Sequence, residues 1–362
     1  MDPTPGLTNI SASLNGTLAS AGCVVESPEY ITNGLVTFHF TSSSHSTSAT
    51  YNVGSTQTYA QVSNVQLEAA TTYSVYASCT ATNGTAVTSS STSLTTAAAS
   101  STAKPSESWL ELPAEDNGKL YPNAVELKIS ASGERNYTAY YDKSTYTSMW
   151  TAYPLQSKHM GSLSRPSKWY FNTEIGEEYQ VDLTDSSYEG DVYSRGHLIP
   201  NASRNGDSEM QKQTFYVTNS VPQVQNSFNS GIWSSLEGAL QTMAKGGETL
   251  YIVTGVAFQK VGETKSVSYI KAKDDTKNIP IPNYFYKVVL KVTTNSSGTV
   301  TSASTIGFWF ENKAYSNSTY TNCAVSVDQV EQWTGFDFFA NLPDGVEASA
   351  ESNTNWSSFQ SF

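Results

Sequence analysis

The sequence predicts a two-domain chain, with an all-β sandwich in residues 1–98, a linker in residues 99–108 and an α+β domain in residues 109–362. Three observations support this division. Residues 1–103 contain no Lys or Arg, the segment that follows the last predicted strand is rich in Ala and Ser, and charged residues become frequent only beyond it. The composition therefore changes at the predicted linker.

The N-terminal region is predicted to be a sandwich because short segments alternate apolar and polar residues. The alternation is clear in residues 35–40, 62–67 and 73–79, as expected for half-buried strands. The stretch around Tyr73 is similar to the corner before the penultimate strand of fibronectin type III-like and immunoglobulin-like domains, where a tyrosine packs inside the sheet. This resemblance implies a sandwich of that type.

The C-terminal region is predicted to contain a central sheet with helices against it. Near-continuous apolar runs are typical of strands buried on both faces, and apolar residues at helical spacing indicate helices. Strands are expected at residues 137–141, 147–155, 249–255 and 284–292, and helices at residues 230–245 and 325–333.

Composition favours an exported protein. No run approaches the about 20 apolar residues of a membrane-spanning helix, and we interpret Met1 as a start residue added to a mature secreted or surface-exposed chain whose signal peptide is absent. The three cysteines allow at most one disulfide. Cys23 and Cys79 either pair with each other or are buried free thiols.

The net charge of −12 argues against a tight nucleic-acid groove, because phosphate binding usually requires a basic surface. All basic residues lie after residue 103, including the four arginines Arg135, Arg165, Arg195 and Arg204. An enzyme that must release its product needs only local phosphate contacts. The charge therefore predicts weak, salt-sensitive substrate binding and does not exclude such a substrate.

Catalytic chemistry is suggested by His197, which follows Arg195 and Gly196. Alternation along a strand places Arg195 and His197 on one face, and Gly196 lets a ligand approach the backbone. Imidazole accepts a proton near neutral pH, and a guanidinium binds a phosphate through two hydrogen bonds. On this fragment alone, a buried structural histidine beside a surface arginine explains the pattern equally well.

The next segments add oxygen ligands to this histidine. Residues 214–219 are predicted to be a strand that ends at Asn219, and a helix is predicted to follow with Asn229 at its N-cap. Glu237 lies eight residues after Asn229, a rotation of about 80° at 3.6 residues per turn, so both side chains can share one broad face. Together with the strand of His197, these segments predict a ββα unit.

This order of motifs resembles the DNA/RNA non-specific endonucleases of the ββα-metal class, which include endonuclease G. Their signature is Asp-Arg-Gly-His, a strand ending in Asn, and Asn-x-Gly-x-Trp-x-x-Leu-Glu. The chain has Ser194-Arg-Gly-His197, then Asn219, then Asn229-Ser-Gly-Ile-Trp-Ser-Ser-Leu-Glu237. Ser194 replaces the usual Asp, and further matches extend over most of residues 109–362.

The resemblance implies an α+β ββα-metal (His-Me finger) domain with a central antiparallel or mixed sheet and a one-metal mechanism. His197 is the expected general base, and Asn229 is the expected direct ligand of Mg²⁺, with Mn²⁺ and Ca²⁺ as alternatives. Glu237 is expected at the metal site as the residue that orients its waters. Asn219 is expected to orient His197 or the same waters.

The resemblance also assigns Arg195 to transition-state stabilisation, with Arg165 as the second arginine, although a surface ion pair explains Arg165 as well. Arg204 is expected to position a phosphate or pack on its loop, and His159 to face solvent. The implied substrates are DNA and RNA, bound through the phosphate backbone without sequence preference. The alternatives are a catalytically weak surface-binding protein that retains the fold and a phosphodiesterase that acts on nucleotides.

Overall fold

The protein was analysed as a computed structural model, which describes residues 4–15, 18–68, 71–96, 109–114 and 120–362. The chain divides into two compact units. The first comprises Met1–Ser101 and Pro343–Ala348, and the second comprises Thr102–Leu342 and Ser349–Phe362. The predicted linker lies outside the described residues.

The N-terminal part of the first unit is built from β-strands, as predicted. Its described strands are β1 (Gly6–Asn15), β2 (Leu18–Glu26), β3 (Ile31–Thr41), β4 (Ser46–Asn52), β5 (Tyr59–Gln66), β6 (Thr72–Ala81), β7 (Ala86–Thr88) and β8 (Thr92–Thr95). They form two antiparallel sheets, one in the order β1-β2-β5 and the other in the order β4-β3-β6-β7, with β8 also paired to β6.

One hydrophobic core joins these two sheets. Phe38 and Phe40 of β3 and Val75 of β6 are fully buried, and they share a cluster with Ala19 and Ala60 from the other sheet. Exposed or half-buried residues alternate with them along β3 and β6. The alternation seen in the sequence therefore arises because each strand presents one face to this core.

Two further features of this core bear on the sequence predictions. Tyr73, at the start of β6, is 1% exposed, and its hydroxyl accepts a hydrogen bond of 3.0 Å from the backbone N–H of Glu68. Cys23 and Cys79 are buried free thiols, which was one of the two alternatives. Burial, together with the neighbouring Cys79, raises the pKa of Cys23 to about 11, which makes this thiol unreactive.

The second unit is built on a seven-stranded sheet. The described strands of this unit are β9 (Ala124–Ala131), β10 (Glu134–Asp142), β11 (Thr147–Leu155), β12 (Tyr193–His197), β13 (Ser220–Val224), β14 (Leu250–Ala257), β15 (Tyr269–Ile270), β16 (Ile279–Pro280), β17 (Tyr284–Thr294), β18 (Val300–Glu311) and β19 (Ala324–Val325). The large sheet has the order β19-β18-β17-β14-β11-β10-β9, and all of its pairs are antiparallel. Every residue of β14 and the first eight residues of β17 are buried, which confirms the prediction of central strands covered on both faces. β11 is also fully buried and pairs with β10, which confirms that these two segments are paired strands.

Helices of the second part of the chain are short. They are α1 (Ser208–Gln213), α2 (Ser234–Lys245), α3 (Val327–Thr334), α4 (Asp344–Ala350) and α5 (Trp356–Ser361). The helix predicted at residues 325–333 is confirmed as α3, which is capped by Ser326 and ended by Gly335 in the left-handed region at φ 80°. Among the described residues, no helix is both long and apolar enough to cross a membrane.

Two predicted boundaries in the ββα segment were wrong. Residues predicted as the strand 214–219 instead follow α1 and end in a 3₁₀ turn, Val217–Asn219, so β13 begins only at Ser220. The helix predicted from residue 230 begins regularly at Ser234, after an irregular wide-turn segment, Gln225–Trp233, with Ser227 at φ 66°. Local side-chain hydrogen bonds around Asn219 and Asn229, described below, override the strand and helix patterns here.

Glu331, on α3, should make the stability of the protein depend on pH. Burial raises the pKa of Glu331 to about 8, and the carboxylates of Asp337 and Asp328 add to the effect, while the N–H of Phe338 donates to Glu331 and opposes it. A carboxyl with a raised folded pKa loses its stabilising contribution as the pH rises from about 4.5 to about 8. Glu331→Gln keeps the acceptor oxygen and removes the cost of ionising the buried carboxyl. We therefore expect it to raise Tm at pH 9 by about 2–4 °C for each kcal/mol of that cost, and to change Tm little at pH 4.

Thermal unfolding followed by circular dichroism between pH 4 and pH 9 measures this effect. Glu263 is the control, because hydrogen bonds lower its pKa and Glu263→Gln should therefore reduce Tm at neutral pH. An equal change in Tm for Glu331→Gln at pH 4 and pH 9 would contradict the account.

Candidate active site

A cleft of about 610 Å³ lies at the ββα unit formed by β12, β13 and α2. The structure brings five of the predicted site residues together in its lining: Arg165, Arg195, His197, Asn229 and Glu237. Asn219 is the one predicted site residue that does not line it. Trp169 and Ser194 also line the cleft, and neither had been assigned a role there from the sequence.

His197 ends β12 and packs against two aromatic rings that also contact each other. Its ring centroid lies 4.6 Å from that of Trp169 and 4.9 Å from that of Phe215. Burial, followed by the charges of Arg165 and Arg195, lowers the pKa of His197 to about 3, while a hydrogen bond with the Arg195 backbone opposes the shift. Its Nε2 is buried without a hydrogen-bond partner. His197 is therefore neutral at physiological pH and keeps one unshared nitrogen lone pair.

The two arginines extend along the aromatic wall of the cleft. Arg195 Nη1 donates to the carbonyls of Leu183 at 2.7 Å and Ser186 at 2.9 Å, and its Cζ lies 5.2 Å from the centre of the Trp169 ring. Arg165 Cζ lies 4.9 Å from the centre of the Phe215 ring. Neither guanidinium has a carboxylate within ion-pair distance in the described part of the chain, so both retain positive charge for an anion.

Gly196 serves packing and not ligand approach, which corrects the prediction. A Cβ on this residue would lie 2.6 Å from the Cβ of Gln223, its neighbour on the paired strand β13. Real Cβ atoms do not approach so closely. Only glycine at residue 196 therefore leaves room for the side chain of Gln223 against β12. The glycine thus fixes the strand that carries Arg195 and His197.

Asn219 is fully buried and bonds only to backbone groups. Its Oδ1 accepts from Ile199 N at 3.0 Å, and its Nδ2 donates to the carbonyls of Ile199 at 3.0 Å and Thr214 at 2.8 Å. These bonds use the amide hydrogens and hold the backbone that leaves His197. The predicted direct action of Asn219 on the His197 ring or on metal-bound waters does not match these contacts, so Asn219 acts through the chain after β12.

Asn229 lies within the wide turn before α2, and the predicted N-cap role was wrong. Its Nδ2 donates to Ser194 Oγ at 2.9 Å and to Gln225 Oε1 at 3.0 Å. Both amide hydrogens are therefore engaged. Oδ1, the atom that can bind a cation, is left as the acceptor of this side chain.

Glu237, on the first turn of α2, faces a buried lysine that the sequence analysis missed. Lys287 of β17 is fully buried, donates to Thr254 Oγ1 at 2.6 Å and lies 3.8 Å from Glu237 Oε1. Its Nζ is also 4.4 Å from the centre of the Trp233 ring. Burial raises the pKa of Glu237 and lowers that of Lys287, and each charge opposes the shift of the other. The sequence signal that could have revealed this residue was a lysine inside an otherwise apolar strand.

The oxygens of the cleft suit a hard divalent cation. Asn229 Oδ1 is the free acceptor of its amide, and the Glu237 carboxylate lines the same cleft, with its Oε1 3.8 Å from Lys287 Nζ. Mg²⁺ prefers such carboxylate and amide oxygens and retains several waters. A separate acidic group, Asp328, Glu331 and Glu351, has ligand atoms within 4.8 Å of one another, but none of the three lines the cleft.

The structure excludes one of the two roles expected for Arg204 and contradicts the solvent exposure expected for His159. Arg204 is fully buried, and its guanidinium donates to carbonyl and amide oxygens of Asn136, Pro154 and Ser203, so it cannot bind substrate phosphate. His159 is 4% exposed instead of facing solvent, and burial lowers its pKa to about 4. Both residues support the fold.

The strand that carries His197, a second strand and the helix that carries Glu237 meet at one cleft, which is the arrangement of a ββα nuclease. The family model for DNA/RNA non-specific endonucleases matches residues 116–345, and the chain therefore belongs to that family. Residues 1–115 lie outside the match.

Individual relatives agree with this assignment. A nuclease of Nostoc sp. is 28% identical over 225 residues, which are 61% of this chain and 77% of the relative. Mitochondrial endonuclease G of Bos taurus is 27% identical over 170 residues, which are 47% of this chain and 55% of the relative, so the match spans about half of that protein. A chain from the solved EndoG/EndoGI complex superimposes with a TM-score of 0.51 and 20% identity, covering 64% of this chain and 95% of that chain, and shows the fold alone.

Proposed function

We propose that the protein is a secreted endonuclease that hydrolyses phosphodiester bonds of DNA and RNA with one bound Mg²⁺ and with His197 as general base. The observation that carries this proposal is the neutral, unpartnered Nε2 of His197 in a cleft that also holds Arg165, Arg195 and the oxygens of Asn229 and Glu237. Hydrolysis of a phosphodiester needs a base, charge neutralisation and leaving-group stabilisation, and each has a candidate here.

In this proposal His197 Nε2 takes the proton of the attacking water. The hydrogen bond with the Arg195 backbone engages the other ring nitrogen, which keeps the lone pair on Nε2. A substrate phosphate between Arg165 and Arg195 offsets their charges and so raises the pKa of His197 toward the range where imidazole is an effective base. The same guanidiniums stabilise the charge that develops on the phosphoryl oxygens.

The metal would be held by Asn229 Oδ1, with Glu237 orienting its water ligands. When bound, Mg²⁺ supplies Lewis-acid stabilisation of the phosphoryl and leaving oxygens. Lys287 balances the charge of Glu237 beneath the cleft. Since these contacts address phosphate and not base edges, the proposal includes DNA and RNA as substrates without sequence preference.

For the first unit we propose an immunoglobulin-like or fibronectin type III-like sandwich that serves as a spacer or adhesion module. The hydrogen bond from Glu68 N to the buried Tyr73 hydroxyl supports this, because a tyrosine at this corner of such domains bonds to backbone a few residues upstream. Deletion of residues 1–108 should leave cleavage of short oligonucleotides intact. Loss of that cleavage in a folded deletion variant would contradict the spacer role.

The proposed activity is tested by incubating the purified chain with supercoiled plasmid and with RNA, in Mg²⁺ and in EDTA. We expect cleavage of both polymers in Mg²⁺ and none in EDTA. Cleavage of nucleotide esters without cleavage of polymers would make the protein a nucleotide phosphodiesterase. Absence of cleavage with any divalent cation would leave a binding protein that retains the nuclease fold. Recovery of the native protein from the culture medium of its source tests secretion.

A further inference from the structure

The residue that departs from the family signature, Ser194, contacts the proposed metal ligand. Its hydroxyl, on β12, donates to the Gln223 carbonyl at 3.3 Å and accepts from Asn229 Nδ2 at 2.9 Å. Ser194 therefore uses its donor on the neighbouring strand and its acceptor on the segment before α2. This one side chain connects all three elements of the ββα unit.

The Asn229 amide is held from two sides. Ser194 Oγ and Gln225 Oε1, at 3.0 Å, accept its two Nδ2 hydrogens. Rotation of the amide by 180° would place Oδ1 against Gln225 Oε1, and Ser194 could then bond to the amide only by giving up its donation to the Gln223 carbonyl. The two acceptors thus determine which atom of Asn229 remains available for a cation.

We propose that Ser194 is a positioning residue whose hydroxyl holds the Asn229 amide so that Oδ1 is presented to the divalent cation. This inference rests on the proposed function, because it assumes that Asn229 binds the metal. A serine does this without adding a negative charge. The charged side chains that line the cleft are Arg165, Arg195 and Glu237, two positive and one negative. An aspartate at residue 194 would reduce the positive charge that Arg165 and Arg195 offer to a phosphate.

The experiment is titration of the full-length protein with Mn²⁺ by calorimetry, without nucleic acid. We expect Ser194→Ala to weaken Mn²⁺ binding about 10–100-fold, the usual effect of removing a residue that orients a ligand, with Tm unchanged. Ser194→Thr should bind more tightly than its isostere Ser194→Val by the same factor. Ser194→Asp should strengthen Mn²⁺ binding and raise KM for nucleic acid.

Two variants separate this inference from the proposed function. Ser235→Ala removes a similar hydroxyl, which donates to the Gly231 carbonyl and does not contact Asn229, and should leave Mn²⁺ binding unchanged. Asn229→Ala should abolish binding. If Asn229→Ala loses Mn²⁺ while Ser194→Ala and the Thr/Val pair bind it as the wild type does, the role of Ser194 is overturned alone. If Asn229→Ala binds Mn²⁺ as the wild type does, Asn229 is not the metal ligand, and the role proposed for Ser194 is overturned as well.

Discussion

Replacement of His197 by Ala is expected to lower kcat/KM for cleavage of DNA and RNA by about 10²–10⁴-fold, the range attributed to a positioned general base. The reason is local. Nε2 of His197 has no hydrogen-bond partner among the described residues, the ring packs against Trp169 and Phe215, and its low pKa keeps it neutral. Single-turnover cleavage of an end-labelled oligonucleotide at saturating Mg²⁺ measures the chemical step directly.

The matched control is the other buried histidine of this unit. His159 lies outside the cleft, and its Nε2 is 3.6 Å from Glu134. His159→Gln should therefore leave the cleavage rate within about 3-fold of the wild type, far smaller than the general-base effect. Added imidazole should restore part of the activity of His197→Ala and none to His159→Gln. Wild-type activity in the His197→Ala variant would contradict the role of His197 as general base.

Replacement of Arg204 by Met is expected to lower the free energy of unfolding of the second unit by about 1–3 kcal/mol for each buried acceptor that loses its donor. Arg204 is fully buried and makes four hydrogen bonds, to both oxygens of Asn136 and to the carbonyls of Pro154 and Ser203. Burial lowers its pKa to about 10, so it remains protonated. Its removal leaves buried acceptors without donors.

Urea unfolding of wild type and variant gives this difference. Arg204→Lys should recover little of the stability, because an ammonium cannot reproduce the planar guanidinium fork. Lys128→Met is the control, since Lys128 forms an exposed ion pair with Glu126 at 3.4 Å and its loss should cost less than about 1 kcal/mol. A change below about 1 kcal/mol for Arg204→Met would show that its hydrogen bonds are not needed for the fold.

The central sheet could be predicted from the sequence because burial on both faces leaves a simple signal. Residues 249–255 and 284–292 are nearly continuous apolar runs. The first lies in the fully buried strand β14, and the second lies in β17, whose first eight residues are buried. Five of the predicted site residues also lie in one cleft. The order of the ββα segments and the resemblance to the nuclease family were enough to select these residues from the sequence.

The remaining details depend on tertiary contacts that periodicity does not encode. Asn219 ends a 3₁₀ turn, and its side-chain amide donates to the Thr214 carbonyl, so the strand-like sequence between them does not form a strand. The side chain of Asn229 donates hydrogen bonds to Ser194 and Gln225, and it does not cap α2. Lys287 and Arg204 are charged residues whose burial is compensated by partners distant in sequence, which no local pattern reveals.

The most direct test of the central claim is a double-mutant cycle on the single-turnover rate with His197→Ala, Asn229→Ala and the double variant. If the base and the metal ligand act as one catalytic unit, the double variant should lose about as much activity as the more damaged single variant. A loss equal to the product of the two single losses would mean that His197 and Asn229 act independently, and would contradict a shared catalytic site.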